Sequence, residues 1–452
     1  MPVDLVIKNG KLLIDGEVTS GGIAVENGKI VSIAKDVNLP NADNVIDAKE
    51  NLILPGVIDG HVHVLIPPYL KENFETGTRA AAVGGVTTIV EMPSLFEYIT
   101  TKLENLKWKI DLGEKESYVD FALYGGEIQT DEDLLDIPKL IEHGVVGFKI
   151  TMGGETAYKH EGIFYDALRR IASGNSLATV HAENNQLLDF FYKEVEARMK
   201  RGEYVTYSDS RPNVVEAEAI SRAILYSSFT GTRLHIAHMS TKEGVELVRH
   251  AQQQELPVTA EASVHHLMFT VGDYEKYKHY IITNPPARTK DDQLALWEGL
   301  REGVITNIVT DHCAFTKEEK DQGKDNFLKT PAGIHGLETE VRLILSEGVS
   351  KGRITLDTFV KVMAENPAKL FGLYPRKGVI AVGSDADVIV VDIDKEEKIT
   401  ADILQSVGDY TPYEGWVVKG VPLMTIVRGT VVAEGWEVVG KKGYGTYIPS
   451  RR

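Results

Sequence analysis

The sequence is poor in several features that would place it outside the ordinary globular classes. It has one cysteine, Cys313, in 452 residues, so an intrachain disulfide is impossible and nothing indicates an oxidising compartment. It has no run of about 18 apolar residues of the kind that spans a membrane. Lysine and arginine total 49 against 66 aspartates and glutamates, a net charge of −17. This acidic balance argues against nucleic acid or an anionic membrane as a partner.

The N-terminus also lacks the features of a secretory signal. It reads MPVDLVIKNGKLLID, an alternating strand pattern without a basic start, a long apolar segment or a small-residue cleavage site. We therefore expect a cytoplasmic protein. At 452 residues it is too long for one ordinary core, which favours two domains or a large barrel with an accessory domain.

The two ends of the chain are rich in short strand patterns. Residues 3–50 contain Asn9-Gly10 and Asn27-Gly28, and Asn-Gly between apolar runs is the strongest short-range hairpin signal. Residues 376–452 show the same pattern of short apolar strands separated by turns. We predict that 1–54 and 374–452 meet to form a small β-sandwich.

The middle of the chain alternates short apolar runs with segments of helical spacing. Eight strand-then-helix units predict an α/β fold, a (β/α)₈ barrel over residues 55–373. The eight runs are LPGVIDGH, TTIVEMP, VDFALYGG, VVGFKI, LATVHAE, RLHIAHM, PVTAEAS and NIVTDHC.

The first of these runs ends on two histidines, His61 and His63. Residues i and i+2 of a strand point to the same face, so the two imidazoles can hold one metal ion while Val62 packs on the other side. A hydrogen-bonded histidine pair at a strand end is the structural alternative for this motif alone.

Polar residues also end four of the other runs. Active sites of such barrels lie at the C-terminal ends of the strands, so these side chains are expected at one mouth. Taken singly, Lys149 could be a salt-bridge partner and Asp311 a helix cap; their convergence favours a metal site. The residues are Lys149, His181, His235 with His238, and Asp311 with His312.

Imidazole and carboxylate ligands suit a pair of divalent ions, most plausibly zinc. A lysine ammonium has no lone pair to offer a metal. If CO₂ adds to the amine of Lys149, however, the carbamate oxygens can bridge two ions, which can then activate a bridging hydroxide and polarise a carbonyl. Of the two histidines in LHIAHMS, His238 lies nearer the strand end. Because His235 is three residues away, strand alternation places it behind the sheet, and His312 should point away from its neighbour Asp311.

The chain resembles the cyclic amidohydrolases of the hydantoinase, dihydropyrimidinase, allantoinase and dihydroorotase group, nearly from end to end. The resemblance implies that His61, His63, carboxylated Lys149 and Asp311 hold one metal, and Lys149, His181 and His238 the other. It implies Asp311 as general acid/base, a small cyclic amide as substrate, and a homo-oligomer, commonly a tetramer. The motifs that carry it are DGHVH, ETGTRAAAVGGVTTIVEMP, VGFK, VHAEN, HMS, TDH, ENPAKLFGLYPRKGVIAVGSDADVIVVD and GYGTY.

Different motifs of the chain resemble enzymes with different substrates. Dihydroorotases follow the first two histidines with Leu-Arg, whose arginine holds a carboxylate, and carry asparagine where this chain has Ser94; here Val64-Leu65 follow instead. The segments at 265–267, 284–288 and 333–339 resemble dihydroorotase and allantoinase, whereas GKDNFLKTP and LFGLYPRKG resemble hydantoinase. The whole pattern is closest to hydantoinases that resemble allantoinases.

Three further residues are candidates for substrate contact. Tyr158 corresponds to a hydantoinase tyrosine, although four extra residues separate it from Lys149; Asn284 and Leu65 are the others. The apolar loop at 65–70, followed by Lys71, suits an uncharged ring, although it can equally pack against the barrel rim. A dihydropyrimidinase-like structural protein that has lost its ligands is the non-enzymatic alternative, and six filled ligand positions favour the enzyme.

Overall fold

The computed structural model describes residues 2–14, 16–65, 72–93 and 99–451. The N-terminal segment forms five strands, and Asn27 and Gly28 make the predicted tight turn between the second and third, with φ angles of +51° and +73°. The Asn9-Gly10 hairpin was a wrong prediction. Asn9 is instead a bulge within a continuous first strand, because that strand pairs along its length with three neighbours. The strands are β1 (Val3–Ile14), β2 (Glu17–Glu26), β3 (Lys29–Ala34), β4 (Ala42–Asp47) and β5 (Leu52–Pro55).

The eight predicted barrel strands all form, and neighbours pair in parallel. A backbone bridge between Gly125 and Phe148 joins the third strand to the fourth. Asp59 on the first strand accepts the Thr310 amide at 3.2 Å and so joins the eighth strand to the first. The strands are β6 (Val57–His63), β7 (Val86–Glu91), β8 (Asp120–Leu123), β9 (Phe148–Thr151), β10 (Leu177–His181), β11 (Arg233–Ile236), β12 (Val258–Ser263) and β13 (Asn307–Val309), with a short β14 (His312–Cys313) beside β6.

Helices connect the strands and bury their apolar faces against the barrel. Their ranges are α1 (Phe74–Gly84), α2 (Leu103–Glu116), α3 (Ile137–Glu142), α4 (Glu161–Ser173), α5 (Asn185–Lys200), α6 (Asn213–Thr230), α7 (Lys242–Gln253), α8 (Val264–Met268), α9 (Tyr274–Tyr277), α10 (Lys290–Glu302), α11 (Lys317–Lys320), α12 (Glu340–Leu343), α13 (Leu356–Val360) and α14 (Asn366–Leu370). The chain continues from α12 as π-helix over Ile344–Ser350 and links α13 to α14 by another over Lys361–Glu365. In the described ranges, every helix is too short or too polar to cross a lipid bilayer.

The two ends of the chain meet in one nine-stranded sheet, as expected of the β-sandwich part of the fold. Its order is β18-β17-β16-β15-β5-β1-β2-β3, with β4 on β1, and residues of both ends share an apolar core. The division of the chain at 54/55 and 373/374 stays a prediction. The C-terminal strands are β15 (Val388–Lys398), β16 (Val417–Val427), β17 (Thr430–Glu434) and β18 (Glu437–Val438).

The last residues return from this sheet to the barrel. Thr446 accepts a hydrogen bond from the Phe121 amide at 3.1 Å, and the Ile448 amide donates to Phe121 at 2.8 Å. Lys377 adds an ionic link, since its Nζ lies 2.5 Å from both Asp120 on β8 and Asp387 just before β15. Backbone hydrogen bonds and buried ion pairs therefore hold the C-terminal part of the chain against the barrel.

Candidate metal centre

The side chains that end β6 and follow β13 lie together at the barrel mouth. One carboxylate oxygen of Asp311 is 3.3 Å from His61 Nε2 and 3.3 Å from His63 Nε2. The ligating atoms of these three residues all lie within 4.8 Å of one another. His61 is fully buried, whereas the His63 side chain is 31% exposed. The geometry suits a cation that is reached from the open end of the barrel.

The other three predicted ligands lie against this group. Lys149 Nζ on β9 is 3.2 Å from His61 Nε2. His181 Nδ1 is 3.0 Å from His238 Nε2, and the rings of His61 and His238 are 5.2 Å apart. The structure thus brings together all six residues that the sequence singled out as metal ligands.

Two buried carboxylates set which ring nitrogens point into the site. Glu261 Oε1 is 2.5 Å from His61 Nδ1, and Glu183 Oε2 is 2.8 Å from His181 Nε2. A neutral imidazole that donates one N–H has its lone pair on the other nitrogen. His61 therefore presents the Nε2 lone pair to Asp311 and Lys149, and His181 presents Nδ1 to His238.

The charge states in this cluster follow from burial and from the neighbours. Burial and the nearby Lys149 lower the pKa of His61 to about 4, and burial holds the pKa of His238 well below its usual value. Burial would raise the pKa of Asp311, but His61, His63 and His238 together hold it well below the usual range. Neutral imidazoles and an ionised carboxylate are the forms that bind metal ions.

Backbone geometry explains how His238 reaches the site and corrects the prediction for His235. β11 ends at Ile236, and His238 has a φ of +33°, so strand alternation does not extend to it. His235 lies inside the barrel, not behind the sheet, where its Nε2 is 2.9 Å from Glu261 and its Nδ1 is 2.8 Å from Thr259 Oγ1. The predicted side of the sheet for His235 was therefore wrong.

His312 points away from Asp311, as predicted. Its Nε2 is 3.4 Å from Glu72, and its Nδ1 accepts the Gly336 amide at 3.1 Å. Asp311 itself has a φ of +52°, a left-handed conformation that aspartate tolerates better than most residues. The backbone thus turns sharply between the two side chains.

The candidates for substrate contact occupy three different places. The Tyr158 hydroxyl donates to Glu161 at 3.0 Å, and its ring stacks on Phe164 at 5.1 Å. Asn284 accepts a hydrogen bond from Tyr207 at 2.8 Å, and Leu65 is buried just beyond β6. Their role as substrate contacts stays a prediction. Ser94 and loop residues 66–71 lie outside the described residues.

Sequence analysis missed the buried carboxylates beneath the ligands. Glu261 is on β12 and Glu183 follows His181 by two residues. Asp59, two residues before His61, accepts the His61 amide at 3.1 Å. An acidic residue within an otherwise apolar strand was the available signal, because a buried charge requires a partner.

Comparison with known proteins agrees with this geometry. The amidohydrolase family model matches residues 52–432. An L-hydantoinase of Paenarthrobacter aurescens is 38% identical over 455 residues, 99% of this chain and 98% of that protein. A dihydroorotase of Methanosphaera stadtmanae is 36% identical over 440 residues, 96% of this chain and 97% of that protein.

A solved structure gives the same result for the fold. The L-hydantoinase (dihydropyrimidinase) from Arthrobacter aurescens matches with a TM-score of 0.94 at 36% identity, covering 99% of this chain and 100% of that one. Family membership implies a binuclear metal centre, and the six converging residues fit one. The chain belongs to the amidohydrolase family and is a cyclic amidohydrolase of the hydantoinase/dihydropyrimidinase type.

Proposed function

We propose that the protein hydrolyses the cyclic amide bond of hydantoin-like or dihydropyrimidine rings with two divalent metal ions, zinc in the simplest case. The observation that carries the proposal is the convergence of His61, His63, Lys149, His181, His238 and Asp311, with imidazole lone pairs turned inward by Glu261 and Glu183. Four imidazoles and a carboxylate are a donor set that zinc favours.

Lys149 is proposed to carry a carboxyl group. Its side chain is buried, and its amine lies at the centre of the predicted ligands, 3.2 Å from a histidine nitrogen. As a carbamate, Lys149 would supply oxygen ligands to both ions, which a free ammonium cannot do.

Asp311 is proposed as the general acid/base. Metal ions bound here supply an activated water and polarise the carbonyl of the substrate. Asp311 Oδ1 faces His61 and His63 at the open side of the cluster, where it can take a proton from the attacking water. The same carboxyl then returns a proton to the leaving ring nitrogen.

An uncharged ring is the proposed substrate class. A buried substrate carboxylate needs a cationic partner, usually arginine. Two buried arginines of the barrel already have carboxylate partners, since Arg211 pairs with Glu183 and Arg288 with Glu216. Val64-Leu65 stand where dihydroorotases carry Leu-Arg, and Leu65 is buried. Tyr158 and Asn284 are proposed to contact the substrate beside it.

Steady-state kinetics on four substrates tests this function. We expect kcat/KM for 5-substituted hydantoins or dihydropyrimidines to exceed that for dihydroorotate by at least about tenfold, about 1.4 kcal/mol in transition-state binding. Allantoin, neutral but polar in its ureido tail, should fall between them. Dihydroorotate as the best substrate would show that another group holds the carboxylate.

Allantoinase or dihydroorotase is the second candidate, favoured by the relative named dihydroorotase at 36% identity and by the segments at 265–267 and 333–339. A non-catalytic structural role is disfavoured because the ligand set is complete. We further propose that the protein is cytoplasmic and assembles as a homotetramer, and that each chain divides into its barrel and terminal segments at 54/55 and 373/374. Size-exclusion chromatography with light scattering tests the assembly.

A further inference from the structure

Glu261 contacts two of the predicted metal ligands and two further buried residues beside them. Its Oε1 is 2.5 Å from His61 Nδ1 and accepts the backbone amide of His238 at 3.2 Å. Its Oε2 is 2.9 Å from His235 Nε2 and 3.5 Å from the Asn307 amide nitrogen. One carboxylate on β12 thus contacts β6, β11, β13 and the segment after β11.

The surroundings of this carboxylate differ from those of Glu183. Glu183 holds His181 but is paired with the guanidinium of Arg211. Glu261 is fully buried, and its hydrogen-bond partners in the described structure are two histidines, a backbone amide and Asn307, none of them a permanent cation. The negative charge of Glu261 is therefore available to cations bound above it.

We propose that Glu261 is a positioning residue of the metal centre, which orients His61, fixes the backbone at His238 and adds an unpaired negative charge beneath the ions. This inference rests on the proposed function, because it requires that the cluster bind metal. Glu261 contacts ligands of both proposed ions, His61 for one and His238 for the other. Its loss is therefore expected to weaken both.

The physical basis is the hydrogen bond made by the nitrogen that does not bind metal. A carboxylate that accepts this N–H fixes the tautomer and the ring orientation, and removing such a partner commonly costs about 10–100-fold in metal affinity. Glu261→Gln keeps the size of the side chain but removes its charge. Its amide also offers one acceptor atom where the carboxylate offers two, so His61 and His235 cannot both donate an N–H to it.

The test is Zn²⁺ binding, measured separately from activity. Metal-free wild type, Glu261→Gln and Glu338→Gln are titrated with Zn²⁺ against a competing chelator, and Co²⁺ loading gives visible spectra of site geometry. Glu338→Gln is the matched control, because Glu338 is also buried but accepts the amides of Gln405 and Ser406. We expect Glu261→Gln to bind Zn²⁺ about 10–100-fold more weakly with an altered Co²⁺ spectrum, and Glu338→Gln to match wild type.

The outcomes separate this inference from the proposed function. Wild type without Zn²⁺ binding would contradict the proposed function itself. Two tightly bound ions in wild type with unchanged affinity in Glu261→Gln, or an equal loss in Glu338→Gln, would overturn the role of Glu261. If metal-free Glu261→Gln lacks the wild-type circular dichroism spectrum, Glu261→Asp takes its place. Its shorter carboxylate keeps the charge but cannot reach both His61 and His235, so weaker Zn²⁺ binding supports the role and wild-type binding overturns it.

Discussion

Among the residues that the structure describes, two clusters have the spacing of metal ligands, and they lie at different places. His61, His63 and Asp311 form one at the barrel mouth, and Asp120, Asp385 and Asp387 form the other between barrel and terminal sheet. In the second cluster, Lys377 Nζ lies 2.5, 3.0 and 2.5 Å from the three carboxylates.

The mouth cluster also has a lysine beside it, but that lysine is placed differently. Lys149 is 3.2 Å from a histidine nitrogen, whereas Lys377 is surrounded by carboxylates, and Arg428 also contacts Asp120. The Lys377 ammonium thus neutralises the Asp120, Asp385 and Asp387 cluster, whereas the mouth cluster combines neutral imidazole lone pairs with one carboxylate, a donor set that suits a metal ion. Ligand atoms of similar spacing therefore form salt bridges around Lys377 but favour a metal centre at the barrel mouth.

The largest expected effect is that of Lys149→Ala. We expect it to abolish hydrolysis and to lose at least one metal ion, because the other predicted ligands do not supply bridging oxygens. Elemental analysis and kcat/KM measure the two losses. Native mass spectrometry of the wild type should show one added carboxyl group, and a fully active enzyme with unmodified Lys149 would refute the carbamate.

Metal removal should be equally severe but reversible. We expect about two divalent ions per chain, with activity lost on chelation and restored by zinc, manganese or cobalt. A third ion would mean that the Asp120, Asp385 and Asp387 cluster binds metal despite Lys377. Full activity in a preparation free of transition metal would remove the basis of the proposed function.

The two histidines near the end of β11 should differ in their contributions. His235→Ala removes only one partner of Glu261, so we expect a loss in kcat/KM of at most about 10–100-fold. His238→Ala removes a predicted ligand and should cost at least about tenfold more. Kinetics at saturating Zn²⁺ compares them, and the reverse order would place His235 in the metal site.

Lys377→Met should have the smallest effect on activity but a large one on stability. It removes the cation paired with Asp387 and one of the cations paired with Asp120 and Asp385, so the free energy of unfolding should fall by about 3–5 kcal/mol. Denaturant unfolding measures this value. Lys361→Met is the control, because Lys361 pairs with Asp357 at the surface and its loss should cost at most about 1 kcal/mol. Equal losses would show that Lys377 does not stabilise the cluster of Asp120, Asp385 and Asp387.

The eight barrel strands and the six predicted ligands were accessible to sequence reasoning for one physical reason. A strand buried on both faces is almost wholly apolar, so His61, Lys149, His181 and Asp311 are conspicuous within or just after the apolar runs. The same alternation rule failed for His235 and His238. It applies only within the strand, and β11 ends at Ile236 before a residue with positive φ.

The sequence by itself determined the order of strands and helices, the positions that could hold metal, and the resemblance to cyclic amidohydrolases. Apart from Glu183 and His181, which are two residues apart, tertiary structure decided which carboxylate contacts which ligand. Glu261 and His61 are 200 residues apart, and Lys377 and Asp120 are 257 apart, distances over which local patterns carry no information. Asn9 shows that distant contacts also override a local pattern within one strand. Asn9-Gly10 predicts a hairpin, but β1 pairs with three neighbouring strands and Asn9 forms a bulge. Closure of the barrel sets these contacts, because it places the ends of distant strands within hydrogen-bond distance.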